Sequence, residues 1–258
     1  MKILILGTGK MGAWLTEELC WNHEVWVYDA DPLKMKYFMH VNRLLSLSDI
    51  DAASPEMVIN CVALGSTVDA FNAVLPHIPG DCILSDIASV KTGLFDYYRQ
   101  TGHPFVSTHP MFGPTNANFH DLHEENAIII SESCDRGKEF FRRLYGDLHL
   151  RIFEYSFEEH DKTVAYSLAT PFASTMVFAA CMKKQEAPGT NFKKHMAIAK
   201  GLLSEDDRLL TEIMFNDYTI RQLELINSKL SYLTHIIRQK DYEEMSKFLN
   251  TLRKNIAD

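Results

Sequence analysis

His109 opens the run His109-Pro110-Met111-Phe112-Gly113-Pro114, one imidazole followed by two prolines and a glycine. Histidine titrates near physiological pH, so an imidazole set beside a substrate hydroxyl can take up its proton. Upstream lies a second chemistry-bearing run, Ser85-Asp86-Ile87-Ala88-Ser89-Val90-Lys91. Ser89 sits near the start of a predicted helix over 90–99, so its hydroxyl reads as an N-cap that can still donate outward. At the N-terminus, Gly7-Thr8-Gly9-Lys10-Met11-Gly12 is a G-x-G-x-x-G between a predicted strand and a predicted helix. In that context the first glycine permits the turn, the second admits a pyrophosphate, and the third allows close helix–strand packing. Free N–H groups and the positive end of the helix dipole draw the phosphates.

Asp29 ends the second predicted strand, where a carboxylate can accept hydrogen bonds from the adenosine ribose. Asp31 is close by and no arginine follows, so a 2′-phosphate would meet like charge. The site is therefore expected to take NAD in preference to NADP. With a nicotinamide placed by residues 7–12 and Asp29, His109 becomes the expected proton acceptor in a dehydrogenation.

These groups need a scaffold. The first half of the chain alternates short apolar runs with amphipathic stretches, the pattern of βαβ units. Strands are predicted at 2–6, 24–28, 57–62, 82–85, 105–107 and 127–130, and helices at 11–20, 68–75, 90–99 and 136–145. Six strands in this order fit a doubly wound sheet, whose ligands gather at the carboxyl ends of the strands. The fold class is thus α/β: a Rossmann dinucleotide-binding domain over 1–152, then an all-helical domain over 153–258. In the second part, Ser156-x-x-Glu159 is a capping box that opens a long helix. Pro171 should kink or break that helix. Pro188-Gly189 makes a turn, and Ser204-Glu205-Asp206-Asp207 starts another helix. Leu223, Ile226, Leu230, Leu233 and Ile237 form a narrow apolar seam suited to core or dimer packing.

Composition narrows the function classes. The chain has 258 residues, 46% of them hydrophobic, and a net charge of −8. No lysine- or arginine-rich run is present, which argues against a nucleic-acid partner. Cys20, Cys61, Cys82, Cys134 and Cys181 are scattered without a C-x-x-C pair, as suits free thiols in a reducing cytosol. No window is expected to reach the roughly 20 apolar residues of a membrane span. Met1 leads straight into a strand and a glycine turn rather than a signal peptide, so a cytoplasmic location is expected. His120-x-x-His123-Glu124 lies in a polar loop without a zinc-like pattern, so no metal is expected.

The glycine turn, Ser89-Val90-Lys91, the His109–Pro114 block, His160-Asp161 and the helical last third together resemble the prephenate/arogenate dehydrogenases of tyrosine biosynthesis. The resemblance implies NAD-dependent oxidative decarboxylation of prephenate to 4-hydroxyphenylpyruvate, or alternatively of arogenate to tyrosine. It casts His109 as proton acceptor, with Ser89 hydrogen-bonded to that imidazole or to the ring hydroxyl. It also implies a homodimer built on the helical domain. Many members carry an arginine for the substrate's side-chain carboxylate at a position that aligns here with Ala197 or Gly201. A histidine that often follows the mid-helix proline is Phe172 here. The remaining nearby cations are Lys193, Lys194, His195 and Lys200. Lys193 and Lys200, seven residues apart, share a helix face and are the favoured substrate-binding pair, with His195 as a neighbour. A 3-hydroxyacid dehydrogenase or an imine reductase shares the glycine turn and helical domain but not the His109 block. An NAD-sensing regulator without turnover is the non-enzymatic reading.

Overall fold

The computed structural model describes residues 1–113 and 122–257. Pro114 and His120, named above, lie outside the described residues. The apolar runs form the predicted strands: β1 (Lys2–Leu6), β2 (Glu24–Tyr28), β4 (Met57–Asn60), β5 (Ile83–Asp86), β6 (Phe105–Pro110) and β7 (Asn126–Ile130). Two more complete the sheet, β3 (Asn42–Arg43) and β8 (Arg151–Tyr155). The strand order is β3-β2-β1-β4-β5-β6-β7-β8. Chain order reverses between β1 and β4, so their carboxyl ends open the crevice where such sheets bind ligands. Pairing is parallel from β3 across to β6, antiparallel between β6 and β7, and parallel again between β7 and β8.

Helices α1 (Lys10–Leu19), α2 (Ile50–Ala53), α3 (Thr67–Val74), α4 (Leu94–Thr101) and α5 (Asp135–Asp147) cover the sheet. β1, β4 and β5 are buried nearly throughout, as strands covered on both faces are, with Ser85 and Asp86 of β5 the polar residues among them besides Asn60 and Lys2. One core cluster joins Ile3, Ile5, Trp14 and Leu15 to Phe141 and Tyr145. The other joins Leu4, Leu6, Val58, Phe71, Leu84 and Tyr98 across the opposite face.

Three local expectations need correction. β6 runs on to Pro110 instead of stopping at Ser107, which places His109 within a strand. The cause is β7, which pairs antiparallel with Thr108, His109 and Pro110. β5 pairs with β6 only as far as Ser107, so the donor that Pro110 lacks removes no bond from that ladder. The helix predicted over 90–99 starts at Leu94 with Gly93 as its N-cap, so Ser89 is not a cap. Lys91 is drawn into the core by Asp86 and the Thr108 carbonyl, and that holds 87–93 as a loop. β8 also crosses the expected boundary at 152/153.

Beyond β8 the described chain is helical: α6 (Phe157–Val164), α7 (Thr170–Cys181), α8 (Thr190–Leu202), α9 (Asp207–Met214), α10 (Thr219–Gln239) and α11 (Tyr242–Asn255). Ser156 and Glu159 form the capping box at the start of α6. A π-helical turn at Ala165–Ala169 joins α6 to α7, with Pro171 in the first turn of α7. The wider turn absorbs the clash and missing donor that proline imposes, so the helical run continues. That run, Phe157–Cys181, is 25 residues long and by length and composition can cross a membrane, contrary to the expectation that no window would. Its apolar residues are mostly alanine and other short side chains, and α7 and the π turn pack against α8, α9 and α10. All five cysteines are free.

Candidate active site

The glycine turn is built as its spacing requires. Gly7 has φ +85°, and a Cβ there would press on Val62, so β1 and β4 meet closely at the switch point. A Cβ on Gly12 would fall inside contact distance of the Gly7 carbonyl. Gly9, by contrast, has open space where its Cβ would be. It is also the N-cap of α1 and provides no side-chain cap, so α1 opens with its orphan N–H groups free of a capping side chain. Gly9, Lys10 and Met11 line a largely apolar cleft of about 1050 Å³, while Gly7, Thr8, Gly12 and Asp29 are not among its lining residues.

Asp29 is bound to the turn at Thr8. Its Oδ2 accepts from the Thr8 amide at 2.8 Å and the Thr8 hydroxyl at 3.0 Å. Its Oδ1 accepts from the Asp31 amide at 2.9 Å, with Lys34 Nζ at 4.0 Å. Burial raises its pKa, but these bonds and Lys34 outweigh burial and hold it below the ordinary aspartate value. Asp29 is therefore a carboxylate at neutral pH.

Ser89, His109, Met111 and Phe112 also line the cleft, with Asn60 at the end of β4 and residues 61–64 after it. His109 is nearly buried, and its Nδ1 lies 2.9 Å from His160 Nε2 rather than against Ser89. His160 Nδ1 is 2.8 Å from Asp161 Oδ1, which also accepts from the Lys91 amide at 2.9 Å. Asp161 Oδ2 accepts from the Thr92 hydroxyl at 3.0 Å, and Asn216 Nδ2 donates to the Asp161 carbonyl at 3.0 Å. An ionised carboxylate only accepts, so His160 must carry its proton on Nδ1. The neutral His160 then accepts at Nε2, His109 carries its proton on Nδ1, and His109 Nε2 is left with a lone pair. Burial pushes His109 well below the usual histidine range, and His160 and Lys91 push the same way. At neutral pH it is a neutral imidazole.

Lys91 is fully buried, its ammonium donating to Asp86 Oδ1 and, at 2.7 Å, to the Thr108 carbonyl. Tyr98 donates to Asp86 Oδ2 at 2.6 Å. The lysine of the Ser89-Val90-Lys91 run thus ties β5, β6 and α6 together behind the base. Sequence reading set His160-Asp161 beside the other motifs but assigned it no task. A histidine–aspartate pair just inside a capped helix was the available signal.

The substrate-side residues divide differently. Phe172, Ala197 and Gly201 are all in the cleft wall. Lys193, His195 and Lys200 are exposed on α8 and are not among the lining residues, and His195 packs edge-on against Phe178. The lysine and arginine side chains of the described lining are Lys10 and Arg208. Arg208, in the first turn of α9, holds Glu212 at 3.2 Å. Its guanidinium covers the face of Gly65, just after β4. The sequence offered no more than an acidic helix start there.

Comparison with known proteins gives the family and the fold. The family model described as prephenate dehydrogenase, nucleotide-binding domain, matches residues 13–149, more than half of the chain. A probable arogenate/prephenate dehydrogenase of Methanocaldococcus jannaschii is 21% identical over 226 residues, covering 81% of this chain and 50% of that protein. The chain thus spans about half the length of the curated relatives it matches. Among solved structures, prephenate dehydrogenase from A. aeolicus in complex with hydroxyphenyl propionate and NAD+ superposes with TM-score 0.84 at 17% identity, covering 98% of this chain and 96% of that one. Synechocystis arogenate dehydrogenase gives 0.78 at 17% identity, covering 99% and 98%. At such identities the likeness is one of fold, while the match to the nucleotide-binding domain carries the assignment. The chain belongs to the prephenate dehydrogenase family.

Proposed function

We propose that this protein is an NAD-dependent dehydrogenase that oxidatively decarboxylates prephenate to 4-hydroxyphenylpyruvate, with arogenate as the alternative substrate. The observation that carries the reading is the His109 imidazole, its Nε2 lone pair left free at a cleft that also contains the glycine turn. NAD fits the residues present: Gly9 leaves room for a pyrophosphate, the start of α1 has no side-chain cap, and Asp29 is charged for a ribose hydroxyl. That same charge disfavours a 2′-phosphate. The chemistry a bound NAD supplies is acceptance of hydride from the ring carbon bearing the hydroxyl.

The chain's own task is the proton. His109 Nε2 takes it from the ring hydroxyl as the carboxylate on the opposite ring carbon leaves as carbon dioxide and the ring becomes aromatic. Ser89, which lines the same cleft, donates to the hydroxyl oxygen and orients it. A neutral base suits this step, and a positioned one contributes about 10²–10⁴-fold. For the side-chain carboxylate, Arg208 replaces the pair favoured from sequence, because Lys193, His195 and Lys200 are outside the cleft lining. Leu225, Leu230 and Ile237 on α10 and Leu249 and Leu252 on α11 are exposed in the single chain. A homodimer through α10 and α11 would cover them. The deciding assay is NADH formation from prephenate and from arogenate, repeated with NADP. Better turnover with NADP would overturn the cofactor reading, and no turnover with either substrate would favour a sensor.

A further inference from the structure

His160 and Asp161 lie buried beside the proposed base, and the chemistry above gives neither of them a part in moving the proton. Among the described residues, His109 itself faces no carboxylate. A proton resting on it would be a buried cation between His160 and Lys91, and such a charge without a counterion is costly. His160, one hydrogen bond further in, has Asp161 Oδ1 at 2.8 Å.

We propose that His160 is the second carrier of a two-imidazole proton relay. As His109 Nε2 takes the substrate's hydroxyl proton, the proton on His109 Nδ1 passes along the 2.9 Å hydrogen bond to His160 Nε2. One O–H and one N–H bond break, and two N–H bonds form. His109 ends neutral with its proton on Nε2, and His160 ends as an imidazolium against the Asp161 carboxylate. No oxidant or further reactant is consumed. The proposal rests on the reading of the cleft given above.

The surroundings favour this end point. Among the described residues, the charged groups facing the two rings are Lys91, from the loop after β5, Asp86 at the end of β5, and Asp161 on α6. Lys91 is paired to Asp86, so before the reaction the cluster holds one excess buried negative charge, on Asp161. A proton on His160 neutralises it at hydrogen-bond distance. Burial lowers both histidines, but Asp161 pulls His160 back up, whereas at His109 the described neighbours, His160 and Lys91, deepen the depression. Asp161 is itself held in place by the Lys91 amide, the Thr92 hydroxyl and the Asn216 amide.

Two measurements on the full chain test this. The first is an NMR titration of the NAD-bound protein carrying 15N-labelled histidine, with ring signals assigned through His109→Asn and His160→Gln. The relay predicts that His160 gains its proton at higher pH than His109. A proton that settles first on His109 overturns it. The second is the kinetics of His160→Gln. The glutamine carbonyl can still accept from His109 Nδ1 and keep its tautomer, yet it cannot carry the proton. The relay predicts a fall in kcat of about tenfold or more, as the loss of a proton carrier implies, with NAD affinity unchanged and the acid limb of kcat/KM moved to lower pH. Near-normal kcat, or an unmoved acid limb, would mean that His160 only packs or orients the base. If the variant does not fold, the wild-type titration still decides. It needs no substrate, so failure of the relay is read separately from failure of the wild type to form NADH.

Discussion

Gly9 and Gly12 are two residues of one motif, and the structure assigns them separable effects. An alanine Cβ at Gly12 would lie inside contact distance of the Gly7 carbonyl oxygen, 3.0 Å from its carbon and 3.3 Å from Cys61 Cβ. Two of these three neighbours are backbone atoms of a turn fixed at φ +85°, so the turn itself must shift. Overpacking of this kind costs about 1–3 kcal/mol. For a chain of this size that lowers Tm by roughly 2–12 °C, at about 2–4 °C per kcal/mol. An alanine at Gly9 meets nothing within 4 Å in the free protein, so Tm should not change. Its methyl group would instead occupy the approach of the pyrophosphate. Loss of one hydrogen bond to a charged group costs about 1.5–3 kcal/mol, so the Kd for NAD should rise about ten- to hundredfold. Thermal melts give the first quantity and quenching of protein fluorescence by NAD gives the second. If Gly9→Ala melted like Gly12→Ala, or bound NAD like the wild type, the placement of the pyrophosphate over Gly9 would be wrong.

Other consequences follow from the same geometry. Arg208→Gln should raise KM for prephenate about tenfold, the lower end for a charge-assisted bond, because Arg208 is half-exposed and shared with Glu212; an unchanged KM would move the carboxylate partner elsewhere. His109 and His160 both have depressed pKa values in the fold. Below the ordinary histidine pKa of about 6.5 the unfolded chain therefore binds protons that the folded one refuses, and stability falls as pH drops through that window. Tm measured across mildly acid pH should show this slope, and His109→Asn should flatten part of it. Light scattering at micromolar concentration should return the mass of a dimer, and Leu230→Glu on α10 should shift it to the monomer; a wild-type monomer would refute the helical interface.

Much of the scaffold was legible because a strand covered on both faces is apolar along most of its length. β1 and β2 match their predicted spans residue for residue. β8 was missed because it lies at the sheet edge, with Arg151 to Glu154 exposed, so its place comes from pairing with β7 and not from an apolar run. The two-residue β3 leaves even less trace. His109 was legible through the prolines that follow it and its distance downstream of the glycine turn. Its partner was not. His160 is 51 residues away, and their contact depends on how α6 docks against the end of β6. Arg208 was hidden for a similar reason. Helical spacing can place two cations on one face of α8, but only the packing of α8 and α9 over the cleft decides which side chains it receives.

The central claim is that His109 is the proton acceptor of an NAD-dependent oxidation in this cleft. Its most direct test is NADH formation from prephenate and arogenate by the wild type and by His109→Asn, with the Kd for NAD measured on both proteins. Turnover by the wild type is expected, with a kcat lower by about 10² or more in the variant at an unchanged Kd. A variant that still turned over within a few-fold of the wild type would contradict it.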